Sequence, residues 1–438
     1  MAEAEPGTTD PDARARGGGL PLARWLRLGE RSHLMRNSFY LMATTAVSAA
    51  AGFVFWVEAA RLYSPTEVGE ASALLSAVSL FTYFSLLGFN STLIRFLPSS
   101  ADPGRLVGTA LVVVALAGAL IAVVGGLVLP RAAPDLRHVL DTSWRAPLFV
   151  LLTAGASVNL LTDSVFVARR RTEYNLLVDG VLMGVVRVAL PVLLVAVGAF
   201  GIFLSHTLAA TVAAVASIWL IQRRLGIRIH RGLSRDLIRE TYRYSGGTYL
   251  AGALNLVPQL VLPLVVLRAF GPVDAALYFV AFQIANLINA IGFAVGQSTF
   301  AEGSHDSAHL RQLALTSARA IASLMVPAIL VVSLVSGPVL SLFGPTYADS
   351  GRPLLIVLSV SALGVAFNSW SGVLLKITAQ LGWLTAANAA FCVVALGLAL
   401  MADEHELLWV ACAWGLANVV GGLVGLLGVL AGRRARAA

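Results

Sequence analysis

Charge is what this chain has least of: Asp, Glu, Lys and Arg make up 12% of its 438 residues, about half the share in an ordinary soluble domain. A single lysine, Lys376, stands against 30 arginines. Cysteine is scarce too. Cys392 and Cys412 both lie in apolar runs without CxxC or Cys/His spacing, so no metal or redox centre is expected. The sequence has no GxxxxGK(S/T) loop, no HExxH, no GxSxG and no DxD-type carboxylate pair beside an outer loop. His305 and Asp306 sit in a polar loop with no partner pattern. No enzyme, cofactor or metal is therefore expected. Nothing near Met1 reads as a cleavable signal, and no hydrophilic stretch is large enough for a separate soluble domain.

What remains is apolar sequence. Hydrophobic residues make up 58% of the chain, and the mean hydropathy is +0.81. Many runs exceed the length needed to span a bilayer. The fold class expected is an all-α polytopic membrane protein with twelve spanning helices. They are placed at 38–60, 69–97, 107–129, 146–168, 175–197, 201–221, 245–267, 275–300, 314–336, 353–375, 382–401 and 407–431. The net charge of +8 reads as inner loops facing anionic lipid, not as nucleic-acid binding.

The expected domains are an N-terminal segment (1–36), a first six-helix lobe (37–221), a connector (222–244), a second six-helix lobe (245–431) and a tail (432–438). Met1–Gly19 is Pro-, Gly- and Arg-rich and reads as disordered. Leu20–Met35 reads either as a helix on the membrane surface or as a basic tether. With the N-terminus inside, inner segments hold 24 basic residues and outer loops six: Arg61, Arg131, Arg137, Arg145, Arg268 and Arg352. That asymmetry predicts an N-in/C-in orientation.

An internal repeat organises the chain at an offset of 207 residues. Arg61 and Pro65 fall on Arg268 and Pro272, at one outer joint in each lobe. Arg36 falls on Arg243, Ser38 on Ser245, Ser91-Thr92 on Ser298-Thr299, Arg145 on Arg352, and Arg169 on Lys376. Both copies point the same way, so the lobes form a parallel repeat about an axis along the membrane normal, an arrangement that builds secondary transporters.

Polar residues inside the helices obey the same offset. Gln283, Asn286, Asn289 and Gln297 share an arc of about 120° on the eighth helix. Their counterparts are Ser76, Ser79, Thr82 and Asn90, all polar. Ser48 in the first helix falls on Asn255 in the seventh, which also carries Gln259. These residues are expected to converge on a substrate cavity between the lobes; the plain alternative is hydrogen bonding between helices. Pro258 and Pro263 remove backbone donors and predict a bend or hinge in the seventh helix.

Charges within the membrane carry further expectations. Arg187 lies halfway along its helix, where a cation costs at least about 2.5–3.5 kcal/mol. It reads either as a cavity cation for an anionic headgroup or as the partner of Asp163 or Asp179. Glu58 reads as a local partner of Arg61 or as part of an outer gate. Arg95 and Glu302 end matched helices with opposite sign, which allows an inner-gate salt bridge or simple interfacial snorkelling. His206 reads as a packing residue.

Three stretches carry a family resemblance: Asn37-Ser-Phe-Tyr-Leu41, AARLYSPTEVGEASALLSAVSL (59–80) and LLGFNSTLIRFLP (86–98). They resemble the polysaccharide-biosynthesis branch of the MOP transporter superfamily, which includes Wzx-type oligosaccharide flippases serving O-antigen and related polymers. The resemblance implies a MATE-like fold with a V-shaped cavity lined mainly by helices 1, 2, 7 and 8. It implies a bacterial inner-membrane protein that moves a polyprenyl-pyrophosphate-linked oligosaccharide by alternating access, driven by an ion gradient or the membrane potential. Its partners would be the lipid-linked glycan, the bilayer, and glycosyltransferases or a polymerase of the same pathway. Two other readings stand beside it. One is a MATE-type multidrug or small-molecule antiporter, for which Asp163 and Asp179 are the deep candidates for ion coupling. The other is a non-transporting scaffold for glycan synthesis.

Overall fold

Apolar stretches of this length can satisfy their backbone in lipid only by hydrogen bonding within themselves. A computed structural model of the chain describes residues 33–140, 143–230, 232, 235–305, 310–402 and 406–437. Among them there is no strand, and twelve helices are long and apolar enough to cross a membrane. In the first half these are α1 (His33–Leu62), α2 (Pro65–Ser85), α3 (Pro103–Ala132), α4 (Arg145–Ala168), α5 (Glu173–Val197) and α6 (Ala199–Arg223). In the second half they are α7 (Arg235–Phe270), α8 (Pro272–His305), α9 (Leu310–Leu334), α10 (Arg352–Ile377), α11 (Leu381–Ala399) and α12 (Leu407–Ala437). An even number of crossings puts the start of α1 and the finish of α12 at one end of the bundle, here the terminal end; the other is the distal end. The readings made for Met1–Ser32, for Asp306 and for the side chains of Arg243, Ser245 and His305 lie outside the described residues.

The second helix does not run from 69 to 97 as its hydropathy suggests. It stops at Ser85, and a separate helix covers Phe89–Phe96. Leu87 (φ 49°) and Gly88 (φ 83°) break it in the left-handed region, where glycine pays no steric penalty. The seventh helix, by contrast, continues through both Pro258 and Pro263. The connector beyond α6 turns back over α3. His230 N–H donates to the Gly104 carbonyl (3.3 Å), and Thr109 Oγ1 donates to that of Gly232 (3.0 Å).

Within the first half α4 packs between α3 and α6, and α1 leans on α5. In the second half α10 packs on α12 and α8, and α11 bridges α12 and α7. The α10–α12 seam is made of small residues. A Cβ on Gly415 would lie 2.6 Å from Ser361 Oγ, and one on Gly364 would lie 2.7 Å from the Gly415 carbonyl oxygen. Ser361 Oγ donates to the Ala411 carbonyl (3.0 Å) and Asn368 Nδ2 to Asn418 Oδ1 (3.2 Å). Close packing with a few interhelical hydrogen bonds is what holds helices together where no hydrophobic drive exists.

The two halves meet along α2, which packs against α7 and α8. At the distal end the joints paired by the repeat touch each other. Ser64 and Glu67 form a capping box at the start of α2, with Pro65 in its first turn; Gly271 (φ 85°) and Pro272 open α8. Gly69 lies so close to the Pro272 carbonyl that no side chain fits between them. Trp56 packs on Phe279 (ring centroids 4.3 Å apart) and Phe53 on Phe343 (5.6 Å). Arg61 crosses the seam: Nε donates to the Leu342 carbonyl (2.8 Å) and Nη2 to that of Ser341 (2.5 Å). Arg61 is thus committed to the other half and not to Glu58, with which it forms no ion pair among the described residues. Tyr63 O–H donates to the Pro191 carbonyl (2.8 Å). Burial, followed by the nearby Glu67 and Glu58 charges, pushes its phenol up to about 12.

Arg61→Ala is expected to loosen this end by about 1–3 kcal/mol, the worth of two hydrogen bonds from a charged donor at an exposed site. Faster thiol labelling of a cysteine introduced at Phe343, relative to the same cysteine with Arg61 intact, would register the change; equal rates would deny Arg61 a role in closure.

Candidate functional site

The polar stripes do not meet in one cavity. The structure sorts them into separate cavities, one in each half, because α2 itself fills the seam against α7 and α8.

The larger cavity, about 550 Å³, lies within the second half between α7, α8, α10, α11 and α12. Asn255, Gln259, Asn286, Asn289 and Gln297 line it, as the stripe on α8 and the face of α7 suggest. Gln283 does not line it; it is exposed. Five further polar residues of this cavity escaped sequence reasoning: Asn368, Ser369, Lys376, Asn388 and Asn418. The repeat does not point to Asn368 and Asn388, whose counterparts 207 residues earlier are Leu161 and Val181; that of Asn418 is Thr211. Three of the amides hold the wall together: Asn368 on Asn418, Asn418 Nδ2 on the Trp414 carbonyl (2.9 Å), and Asn388 Nδ2 on the Ala251 carbonyl (3.0 Å). Asn289 Nδ2 donates to Asn286 Oδ1 (2.9 Å), which leaves Asn289 Oδ1 buried without a partner.

The first-half cavity, about 300 Å³, is ionic. Ser48, Ser79 and Thr82 reach it from α1 and α2, Asn159 and Asp163 from α4, Asp179 and Arg187 from α5, and His206 from α6. Asp179 sits where α5 widens over Leu176–Leu182 into a π-helical stretch, a feature that recurs at functional sites because the extra residue frees backbone groups. The freed Asp179 carbonyl accepts from Ser48 Oγ (3.2 Å), and Asn159 Nδ2 donates to Asp179 Oδ1 (2.8 Å). Arg187 Nε and His206 Nδ1 are buried without a hydrogen-bond partner, and the Asp163 and Asp179 carboxyls face each other within hydrogen-bonding reach, with Asp163 Oδ1 and Asp179 Oδ2 taking no bond from any other group. Arg187 shares the cavity with both carboxylates yet forms no ion pair with either among the described residues. Unpaired buried charge is costly, so the cluster is suited to taking up a cation or proton and releasing it. His206, read from sequence as packing, belongs to it.

The remaining expected residues fall elsewhere. Ser76 is buried with its hydroxyl on the Ser72 carbonyl (2.8 Å). Asn90 lines a third cavity of about 230 Å³ with Tyr83 and Asp163. Arg95 stacks over Phe96 (5.7 Å), and the Arg95–Glu302 salt bridge is not among the ion pairs of the described residues. Arg268 is exposed and lacks the cross-half bonds of Arg61. Near the terminal ends of the α2 and α7 spans, Tyr83 stacks on Tyr249 (5.3 Å, 4° between planes). Tyr249 O–H donates to the Phe84 carbonyl (2.9 Å), so the two halves also touch there.

Solved structures share this architecture. An inward-facing multidrug resistance MATE family transporter of the MOP superfamily superposes with a TM-score of 0.68 at 15% identity, covering 90% of this chain and 99% of that one. An outward-facing MATE family transporter gives 0.60 at 15% identity over 92% and 95% of the two chains. A MOP superfamily transporter from Pyrococcus furiosus Vc1, described as having a binding pocket of reversed polarity, gives 0.59 at 14% over 92% and 95%. No curated protein matches the chain in sequence. The family model described as polysaccharide biosynthesis protein matches residues 34–300, more than half of the chain. The chain therefore belongs to the polysaccharide biosynthesis protein family and carries the fold of MOP-superfamily transporters.

Proposed function

We propose that this protein is a flippase that carries a polyprenyl-pyrophosphate-linked oligosaccharide across the cytoplasmic membrane by alternating access, with both termini inside. The observation that carries the reading is the amide-lined cavity of about 550 Å³ within a transporter bundle whose distal end is closed. Family membership supports it from a separate direction. The two six-helix halves would rock about the α2 seam. The Asp163–Asp179–Arg187 cluster would couple the motion to a cation gradient, since binding a cation there removes unpaired negative charge from a buried site. Glycosyltransferases or a polymerase of the same pathway would supply and consume the substrate.

The ionic cavity equally suits the second reading, a cation-coupled antiporter of small molecules. Deleting the gene decides between them. A flippase deletion is expected to raise polyprenyl-linked intermediates in the inner leaflet several-fold, measured by mass spectrometry of lipid extracts. Unchanged lipid levels together with increased drug sensitivity would favour the antiporter.

A further inference from the structure

The two cavities share a fold and a repeat but not a chemistry. The second-half cavity presents eight side-chain amides, one lysine and no carboxylate. Its volume of about 550 Å³ falls in the range of ligand pockets, roughly 300–1,000 Å³, but such pockets are mostly apolar with few polar groups. Amides at this density, without opposing charge, suit a neutral ligand rich in both donors and acceptors. Asn255, Gln259 and Gln297 make no side-chain hydrogen bond to a described residue, and Asn289 Oδ1 is buried and unpartnered, so their bonding capacity is uncommitted to the protein. Phe293, 62% exposed, stands on the same wall and offers an aromatic face to the C–H side of a sugar ring.

The lengthwise arrangement is equally specific. From Asn286 to Gln297 the wall runs about 16 Å along α8, long enough for a short oligosaccharide. Lys376 lies in the last turn of α10, exposed, at the terminal end of the cavity. The end of a membrane-spanning helix is where headgroups are expected, and an ammonium there is well placed for phosphate. The first-half cavity has a single amide, Asn159, and its cation, Arg187, shares the space with two carboxyls that disfavour a diphosphate.

We propose that the second-half cavity alone is the carbohydrate subsite: its amides hold the glycan hydroxyls, Phe293 stacks a sugar ring, and Lys376 takes the phosphate that joins glycan to lipid. This rests on the flippase reading. It removes Arg187 and the hydroxyls of Ser48, Ser79 and Thr82 from the substrate site.

The test uses purified full-length protein in lipid nanodiscs and two probes. One is undecaprenyl diphosphate; the other is the lipid-linked glycan fraction extracted from the cells that carry the gene. Retained lipid is read by mass spectrometry. The wild type is expected to retain the glycan-bearing lipid in preference to the bare one. Asn286→Leu/Asn289→Leu is expected to lose the glycan-bearing lipid about tenfold, the worth of one or two hydrogen bonds, while still retaining undecaprenyl diphosphate. Lys376→Gln is expected to lose both lipids, with Lys376→Arg restoring them. Should the double variant fail to fold, Gln259→Leu decides in its place. If the wild type retains the glycan-bearing lipid and the amide variants retain as much, the subsite is wrong and the flippase reading stands. If the wild type retains neither lipid, both fall. Equal retention of bare and glycan-bearing lipid by the wild type overturns sugar recognition.

Discussion

Asp179→Asn is expected to abolish gradient-driven export, lowering it by about 100-fold, an effect equivalent to roughly 2.7 kcal/mol, while the protein still inserts. The substitution is nearly isosteric. Asparagine keeps an oxygen to accept from Asn159 Nδ2, now at 2.8 Å, and leaves the backbone carbonyl that accepts from Ser48 unchanged. What it removes is one negative charge from a buried cavity that also holds Arg187 and Asp163. A site with one carboxylate against one guanidinium is already neutral and gains little from a cation; a site with two is short of one positive charge. Asp163→Asn should act in the same direction for the same reason. The measurement is movement of lipid-linked glycan in proteoliposomes with and without an imposed proton or sodium gradient. Full gradient dependence in both variants would remove the acidic pair from coupling.

The second large effect is steric. Gly69→Ala inserts a methyl group where the Pro272 carbonyl already lies, with Ala276 N just behind it at 3.1 Å from the added Cβ. Both neighbours are backbone at a helix start, so neither can rotate aside. Overpacking of this kind costs about 1–3 kcal/mol, which would lower the population of the distally closed state about 5- to 150-fold. Spin labels at Thr66 and Val273, both exposed beside the contact, should show a longer distance in Gly69→Ala than in the wild type. An unchanged distance would mean that the contact accommodates the methyl group and that Gly69 does not hold this end closed. A shift toward distal opening should also slow export, because the cycle needs both end states.

The twelve helices and their order were legible because each is a long apolar run, and the backbone has no other way to cross lipid. The break after Ser85 was not, because it depends on one glycine and one strained leucine inside a run that hydropathy treats as continuous. The repeat pairs Arg61–Pro65 with Arg268–Pro272, and the structure places the helix starts at those joints in contact at Gly69 and Pro272. It misled in one respect. Matching polar residues across the halves suggested a common cavity, whereas Ser48, Ser79 and Thr82 line a first-half cavity, Asn255, Gln259, Asn286, Asn289 and Gln297 a second-half one, and Ser76, Asn90 and Gln283 neither. Periodicity reports which side of a helix is polar, not which neighbour that side meets. Asn368 and Asn388, whose counterparts Leu161 and Val181 are apolar, were invisible to the repeat. Arg187, Asp163 and Asp179 were found because charge in a membrane helix is conspicuous whatever its partners.

The α10–α12 seam has a consequence for how this protein can change over time. Its small residues leave no room for a larger side chain at Gly364 or Gly415, and the Asn368–Asn418 bond ties the two helices at cavity depth. One wall of the large cavity is therefore a fixed jaw. The opposite wall is less tightly filled: α7, whose prolines leave the carbonyls of Leu254 and Gln259 without helical partners, and the exposed stretch of α8 around Phe293 and Gln297. A lineage adapting to a different cargo would find room for new side chains on that wall and none at Gly364 or Gly415.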